Sequence, residues 1–148
     1  MKKLLLHAFF ACMLMLVFSH STSAQSTYTM CSTTLVTDTS GTMYDTGGPT
    51  GTYQNSEDCT FLIQPTCAVS ITLTFASFNT ETNFDYFYVY DGTSINDPLV
   101  LTGNGTTVPG PVTCTSGSMF IVWHSDGSVT YDGWECSWTS VIASSAAP

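Results

Sequence analysis

After its third residue the chain contains neither lysine nor arginine; Lys2 and Lys3 are its only such side chains. A surface without them has nothing to displace counterions from phosphate, so nucleic acid and anionic membranes are poor partners. The sequence also lacks a Cys-x-x-Cys pair and any cysteine–histidine cluster, which argues against a zinc site. Beyond residue 24 no stretch carries apolar residues at helical spacing, and none has the length and apolarity of a membrane span.

The first 24 residues differ from the rest. Lys2 and Lys3 precede an apolar run from Leu4 to Phe18, and Ser21-Thr22-Ser23-Ala24 then turns small and polar. Basic, apolar, small is the order of a secretory signal, with cleavage expected after Ala24. A membrane anchor is the alternative, for which the run is short and is interrupted by His7. Cleavage would release a secreted, extracellular chain that keeps all 11 acidic residues and neither lysine, a formal charge near −11. Such a charge attracts cations and basic protein surfaces. Solubility alone also accounts for the total, though not for its placement.

Cys12 falls within the signal, leaving Cys31, Cys59, Cys67, Cys114 and Cys136. In an oxidising compartment disulfides are the default. Five is odd, so one thiol stays free or joins a second chain, as in a disulfide-linked dimer.

What remains reads as strands. Ile71, Leu73 and Phe75 alternate along one face of Ser70–Phe75, and Trp134, Cys136 and Trp138 do the same after Gly133. Thr60–Ile63, Asp85–Tyr90 and Met119–Trp123 are further β-branched and aromatic runs. Punctuation falls at Gly47-Gly48-Pro49, Asp91-Gly92, Pro109-Gly110-Pro111 and Asp126-Gly127. Period-two alternation between turn residues predicts an all-β, antiparallel sandwich. Residues 25–30 are expected to be an unstructured leader, 31–141 the domain, and 142–148 a flexible tail.

The order of these features resembles the CUB domain family, from Cys31 to about Val141. The resemblance rests on Cys31, Gly41, Tyr53 and Cys59; on Cys59-Thr60-Phe61-Leu62-Ile63; and on Ile71-Thr72-Leu73-Thr74-Phe75 followed by Phe78-Asn79-Thr80-Glu81. It continues through Asp85-Tyr86-Phe87-Tyr88-Val89-Tyr90-Asp91-Gly92, Ser125-Asp126-Gly127-Ser128 and Gly133-Trp134. It implies a jelly-roll-like sandwich and a Cys31–Cys59 disulfide. The family's second disulfide is missing, its cysteine positions looking like Thr82 and Asn104-Gly105. For Cys67 the implied strand layout favours Cys136 as partner, with Cys114 the other candidate.

The resemblance also implies a metal site. In calcium-binding members of the family an acidic trio matches Glu81, Asp85 and Asp126, with Ser128 a further ligand and Tyr53 bonded to a carboxylate. Converging carboxylates repel unless a cation or raised pKa values compensate, and hard oxygen ligands suit Ca²⁺. Where the family often has Asn after that Ser, this chain has Val129, whose side chain cannot coordinate. The implied function is indirect recognition: the ion holds the loops and orients Glu81 and Asp126, which accept a hydrogen bond from a protein partner's Lys or Arg, with Tyr53 the third implied ligand-binding position.

Two rival functions remain beside it: a calcium-independent adhesion or carbohydrate-binding module, and a structural protein linked through the odd cysteine. Tyr86, Phe87, Tyr88 and Tyr90 alternate sides, so any that face out can stack on sugars, while core packing is the commoner use. Asn104-Gly105-Thr106 is a glycosylation sequon. Catalysis finds little support. His124-Ser125-Asp126 supplies triad residue types, but adjacent residues at a strand end point to opposite faces.

Overall fold

The computed structural model describes residues 25–144. The expected signal, and positions 145–148 of the expected tail, lie outside these residues. Ten strands are present and, among the described residues, no helix. They are β1 (Ser26–Thr29), β2 (Leu35–Val36), β3 (Ser40–Tyr44), β4 (Asp58–Ile63), β5 (Ala68–Asn79), β6 (Tyr86–Tyr90), β7 (Leu99–Gly103), β8 (Val112–Cys114), β9 (Met119–His124) and β10 (Gly133–Ile142). Two five-stranded sheets form the sandwich, in the orders β1-β3-β10-β5-β8 and β2-β4-β9-β6-β7.

Alternation decides what each strand buries. Ile71, Leu73 and Phe75 of β5 and Trp134, Cys136 and Trp138 of β10 face inward from the first sheet. Phe61 and Ile63 of β4, Phe87 and Val89 of β6, and Met119, Ile121 and Trp123 of β9 meet them from the second. Trp134 packs edge-on against Phe87 at 4.8 Å and Trp123 at 5.9 Å between ring centroids. Such pairs add about 0.5–1.5 kcal/mol each beyond the area they bury.

The sheets are mixed and not wholly antiparallel. β1 runs parallel to β3, and β2 parallel to β4. The expected leader is therefore structured: β1 extends the first sheet, and Tyr28 packs edge-on against Phe61 at 5.7 Å. Its polar sequence, Ser26-Thr27-Tyr28-Thr29, hid a short edge strand in which only Thr27 is exposed. At the other end Ile142, counted with the tail, closes β10 opposite Ala68.

Cys31 and Cys59 form a disulfide, fastening the turn after β1 to β4 in the opposite sheet. Closing 28 residues is worth roughly 3–4 kcal/mol in the chain-entropy model. The Cys67–Cys136 pairing is not formed, and the reason is topological. β4 and β10 belong to different sheets, so they are not the adjacent antiparallel strands that pairing assumed. Cys136 lies opposite Phe75, whereas Cys67 precedes Ala68, the partner of Ile142. Six residues of strand, about 20 Å, separate the two levels, far beyond disulfide reach. Cys114 sits opposite Ile71 on the other flank of β5 and is not bonded to Cys67 either. Cys114 and Cys136 are buried, and burial pushes the Cys114 thiol up to about 12 and raises that of Cys136. Cys67 is exposed.

One buried acid stands apart from the predicted set. Asp45, 1 % exposed, accepts backbone N–H bonds at 2.7 Å from both Gly47 and Trp134. It fills the space beside Gly133, where an added Cβ would lie 1.9 Å from its Oδ2 and where φ is +76°. That explains glycine before Trp134. Burial raises the Asp45 carboxyl to about 6, partly offset by those N–H donors. A raised carboxyl favours the neutral form in the fold, so its stabilisation is full below about pH 4 and lost as pH rises through about 6. Relative to Asp45→Asn, the native protein should gain about 2 kcal/mol between pH 7 and pH 4, read from denaturant unfolding at each pH. A difference independent of pH would contradict this.

Candidate metal centre

Three loops meet at the end of the sandwich where β5, β9 and β3 finish and β6, β10 and β4 begin. The loop after β5 makes one helical turn: the N–H groups of Phe84 and Asp85 both donate to the Glu81 carbonyl, at 3.4 and 3.1 Å. Asn83, a residue type tolerant of the left-handed region, turns the chain at φ +69°. That turn puts Glu81 and Asp85 on one side. The loop after β9 brings Asp126, whose N–H donates to Asp85 Oδ1 at 2.8 Å. The loop between β3 and β4 brings Tyr53, whose hydroxyl donates to Asp85 Oδ2 and accepts the Glu81 N–H at 3.1 Å.

The result is a convergence of three carboxylates. One oxygen from each of Glu81, Asp85 and Asp126 lies within 4.8 Å of the others. Asp85 is fully buried, and both its oxygens already accept a hydrogen bond. Glu81 Oε2 is buried with no partner, one of three such side-chain atoms among the described residues. Burial, then the charge of Asp126, then that of Asp85, raises the Glu81 carboxyl above its ordinary value. Burial and Asp85 likewise raise the Tyr53 hydroxyl, keeping it a donor. A buried acid with no basic partner is costly, and a cation is one group that would satisfy the unpartnered Glu81 oxygen. The donor set is all oxygen, so it fits a hard divalent cation such as Ca²⁺.

Ser128 is exposed on the same turn, and its N–H donates to Asp126 Oδ1 at 2.9 Å. Val129 follows at φ +62°. The triad residue types diverge. His124 faces outward and meets Asp58 across the strands at 2.6 Å. Ser125 Oγ turns inward, donating to the Gln54 carbonyl at 2.7 Å and accepting the Glu57 N–H at 3.0 Å. Asp126 joins the acidic set.

The place of the missing second disulfide is held by hydrogen bonds. Thr80 N–H donates to the Gly105 carbonyl and Gly105 N–H to Thr80 Oγ1, both at 2.9 Å, while Asn83 N–H donates to Asn104 Oδ1 at 3.2 Å. A Cβ at Gly105 would lie 2.9 Å from Thr82 Oγ1, so the two implied cysteine positions are indeed neighbours. Sequence reasoning named Thr80 and Ser125 only as motif positions without these roles, and missed Glu57, whose carboxylate accepts the Trp123 indole N–H at 2.8 Å. Their partners are distant in sequence, and no local pattern marks them.

The tyrosines of β6 divide by pleat. Phe87 is in the core, whereas Tyr86, Tyr88 and Tyr90 lie on the outer face of the second sheet, with Tyr86 stacked on Tyr88 at 5.7 Å.

Comparison with known proteins agrees with this geometry. The chain is 35 % identical over 88 residues to multiple epidermal growth factor-like domains protein 8 of Homo sapiens, covering 59 % of this chain. It is 34 % identical over 109 residues to cubilin of Rattus norvegicus, covering 71 % of this chain. It spans only 3 % of the length of either. The MASP-1 CUB2 domain bound to Ca²⁺ superposes with a TM-score of 0.64 at 27 % identity, covering 74 % of this chain and 99 % of that one. The full extracellular region of zebrafish Gpr126 contains a match at TM-score 0.62 and 25 % identity, covering 82 % and 15 %. The CUB domain model itself matches residues 31–138, and this chain belongs to the CUB domain family, whose members are non-enzymatic binding modules.

Proposed function

We propose that this protein is a secreted binding module whose acidic edge is ordered by Ca²⁺ and recognises a Lys or Arg on a protein partner. The observation that carries the reading is Glu81 Oε2, buried without a partner beside two further carboxylates. Glu81, Asp85 and Asp126 would hold the ion, with Ser128 close by on the Asp126 turn. Bound calcium would supply the positive charge that the buried acids lack and so fix the three loops. Glu81 and Asp126, each partly exposed, then present oxygens to an incoming ammonium or guanidinium. The relative solved with Ca²⁺ supports the choice of metal. The basic–apolar–small order of residues 2–24 supports export.

A second reading has its own observation. The outward tyrosines of β6 offer aromatic rings on a sheet face, and stacking on them needs no ion, so sugar binding there would not depend on calcium. Glycan binding that survives chelator and fails in Tyr88→Ala would favour it. Linkage of two chains through exposed Cys67 is a structural alternative, read from migration on non-reducing against reducing gels.

Millimolar calcium should raise the melting temperature over that in chelator, by about 2.7 kcal/mol of stabilisation once the ion is at a hundredfold excess over Kd. Asp126→Ala and Asp85→Ala should abolish the shift, and an unchanged melt in the native protein would end the calcium reading. Tyr53→Phe removes a donor to buried Asp85 and an acceptor for the Glu81 N–H. It should cost about 1–3 kcal/mol in denaturant unfolding and weaken calcium binding. A neutral result would show that Tyr53 does not position the acids.

A further inference from the structure

Asn104-Gly105-Thr106 is the only Asn-x-Ser/Thr in the sequence, and the fold leaves it open to modification. It follows the end of β7 at Gly103, in the connection that leads to β8. Asn104 is half-buried, and Thr106, Thr107 and Val108 after it are exposed. Gly105 takes φ +77°, which turns the chain sharply between the asparagine and the threonine.

The two ends of the Asn104 amide are used differently. Its Oδ1 accepts the Asn83 N–H at 3.2 Å. Its Nδ2 donates to no protein group among the described residues and is not one of the buried unpartnered atoms, so it meets solvent. The backbone beneath is held independently, since Gly105 and Thr80 exchange two hydrogen bonds of 2.9 Å. A group added at Nδ2 would therefore leave the oxygen, and the bonds around it, in place.

We propose that Asn104 is an N-glycosylation site whose carbohydrate stands against the turn bearing Glu81 and Asp85. The new bond joins Nδ2 to the anomeric carbon of the first sugar. The sugar comes from a lipid-diphosphate-linked oligosaccharide, whose lipid diphosphate leaves while Nδ2 gives up one proton. The place of the sugar follows from the bond to Asn83, because the amide that carries it already touches the backbone of that turn. Thr82, Asn83 and Phe84 of the turn are all exposed, so a bulky hydrated group rooted there has a surface to cover. It would shield the segment where the second disulfide of the family is missing, without using any of the three carboxylates. The proposal rests on the export reading, because only an exported chain meets the glycosyl donor, and it is independent of calcium.

The full chain, expressed in eukaryotic secretory cells and recovered from the medium, is weighed by intact mass spectrometry before and after peptide-N-glycosidase. Its mass should exceed that of the polypeptide, and the excess should be lost on treatment, leaving aspartate at position 104. Asn104→Gln and Thr106→Ala should both lack the excess. Thr106→Ala keeps the Asn104 amide, so it also isolates the shielding: the Asn83 N–H should exchange with deuterium faster in this variant than in the glycosylated protein. Secreted protein at the bare polypeptide mass, or an excess that survives both substitutions, overturns the site, and equal exchange at Asn83 overturns the shielding. A chain retained in the cells with residues 1–24 still attached overturns the export reading together with the site, which separates the two failures.

Discussion

Asp85 is a fully buried carboxylate in a chain with no lysine or arginine after residue 3, and three loops are organised around it. Tyr53 donates to one oxygen and the Asp126 backbone to the other, while the Asp85 N–H closes the turn from Glu81. The first two contacts bring in segments distant in sequence. Without Asp85 the loop between β3 and β4, the turn after β5 and the turn after β9 would share no polar centre. The hydrogen bonds satisfy its oxygens but leave its charge uncompensated, and Glu81 and Asp126 add to that charge. A divalent cation is the simplest balance, and the orphaned Glu81 oxygen lies where one would be held.

The same end of the sandwich shows how a lost covalent bond is replaced. Thr80, Asn83, Asn104 and Gly105 exchange three hydrogen bonds across the interval where the resemblance implied a disulfide. Each is worth about 0.5–1.5 kcal/mol net, so together they approach a small disulfide in stability. They do not resist unfolding in the same way, because a disulfide restricts the unfolded chain and these bonds do not. Asp45 anchors the neighbouring loop by a separate device, two backbone donors on a buried carboxyl beside a glycine.

Much of this was legible in the sequence. Ile71, Leu73 and Phe75 declared their face by alternation, as did Trp134, Cys136 and Trp138, because sheet pleat has a period of two. Glu81, Asp85 and Asp126 were found through ordered motifs, and the structure brings them together. Parallel β1 and β2 were not legible: β1 is four mostly polar residues and β2 only Leu35-Val36, too short for either to show alternation. The Cys67 pairing failed because the strand layout taken from the resemblance set β4 beside β10, whereas the two belong to different sheets. Asp45, Thr80 and Ser125 act through backbone groups far along the chain, a relation no spacing encodes.

Strand order also fixes how the domain is held. β1 begins at Ser26 opposite Gly41, and β10 ends at Ile142 opposite Ala68, so both ends of the described chain emerge at the pole opposite Glu81, Asp85 and Asp126. Any neighbouring segment, at either terminus, therefore attaches at the base of the sandwich. The acidic edge lies at the other pole, clear of any such attachment.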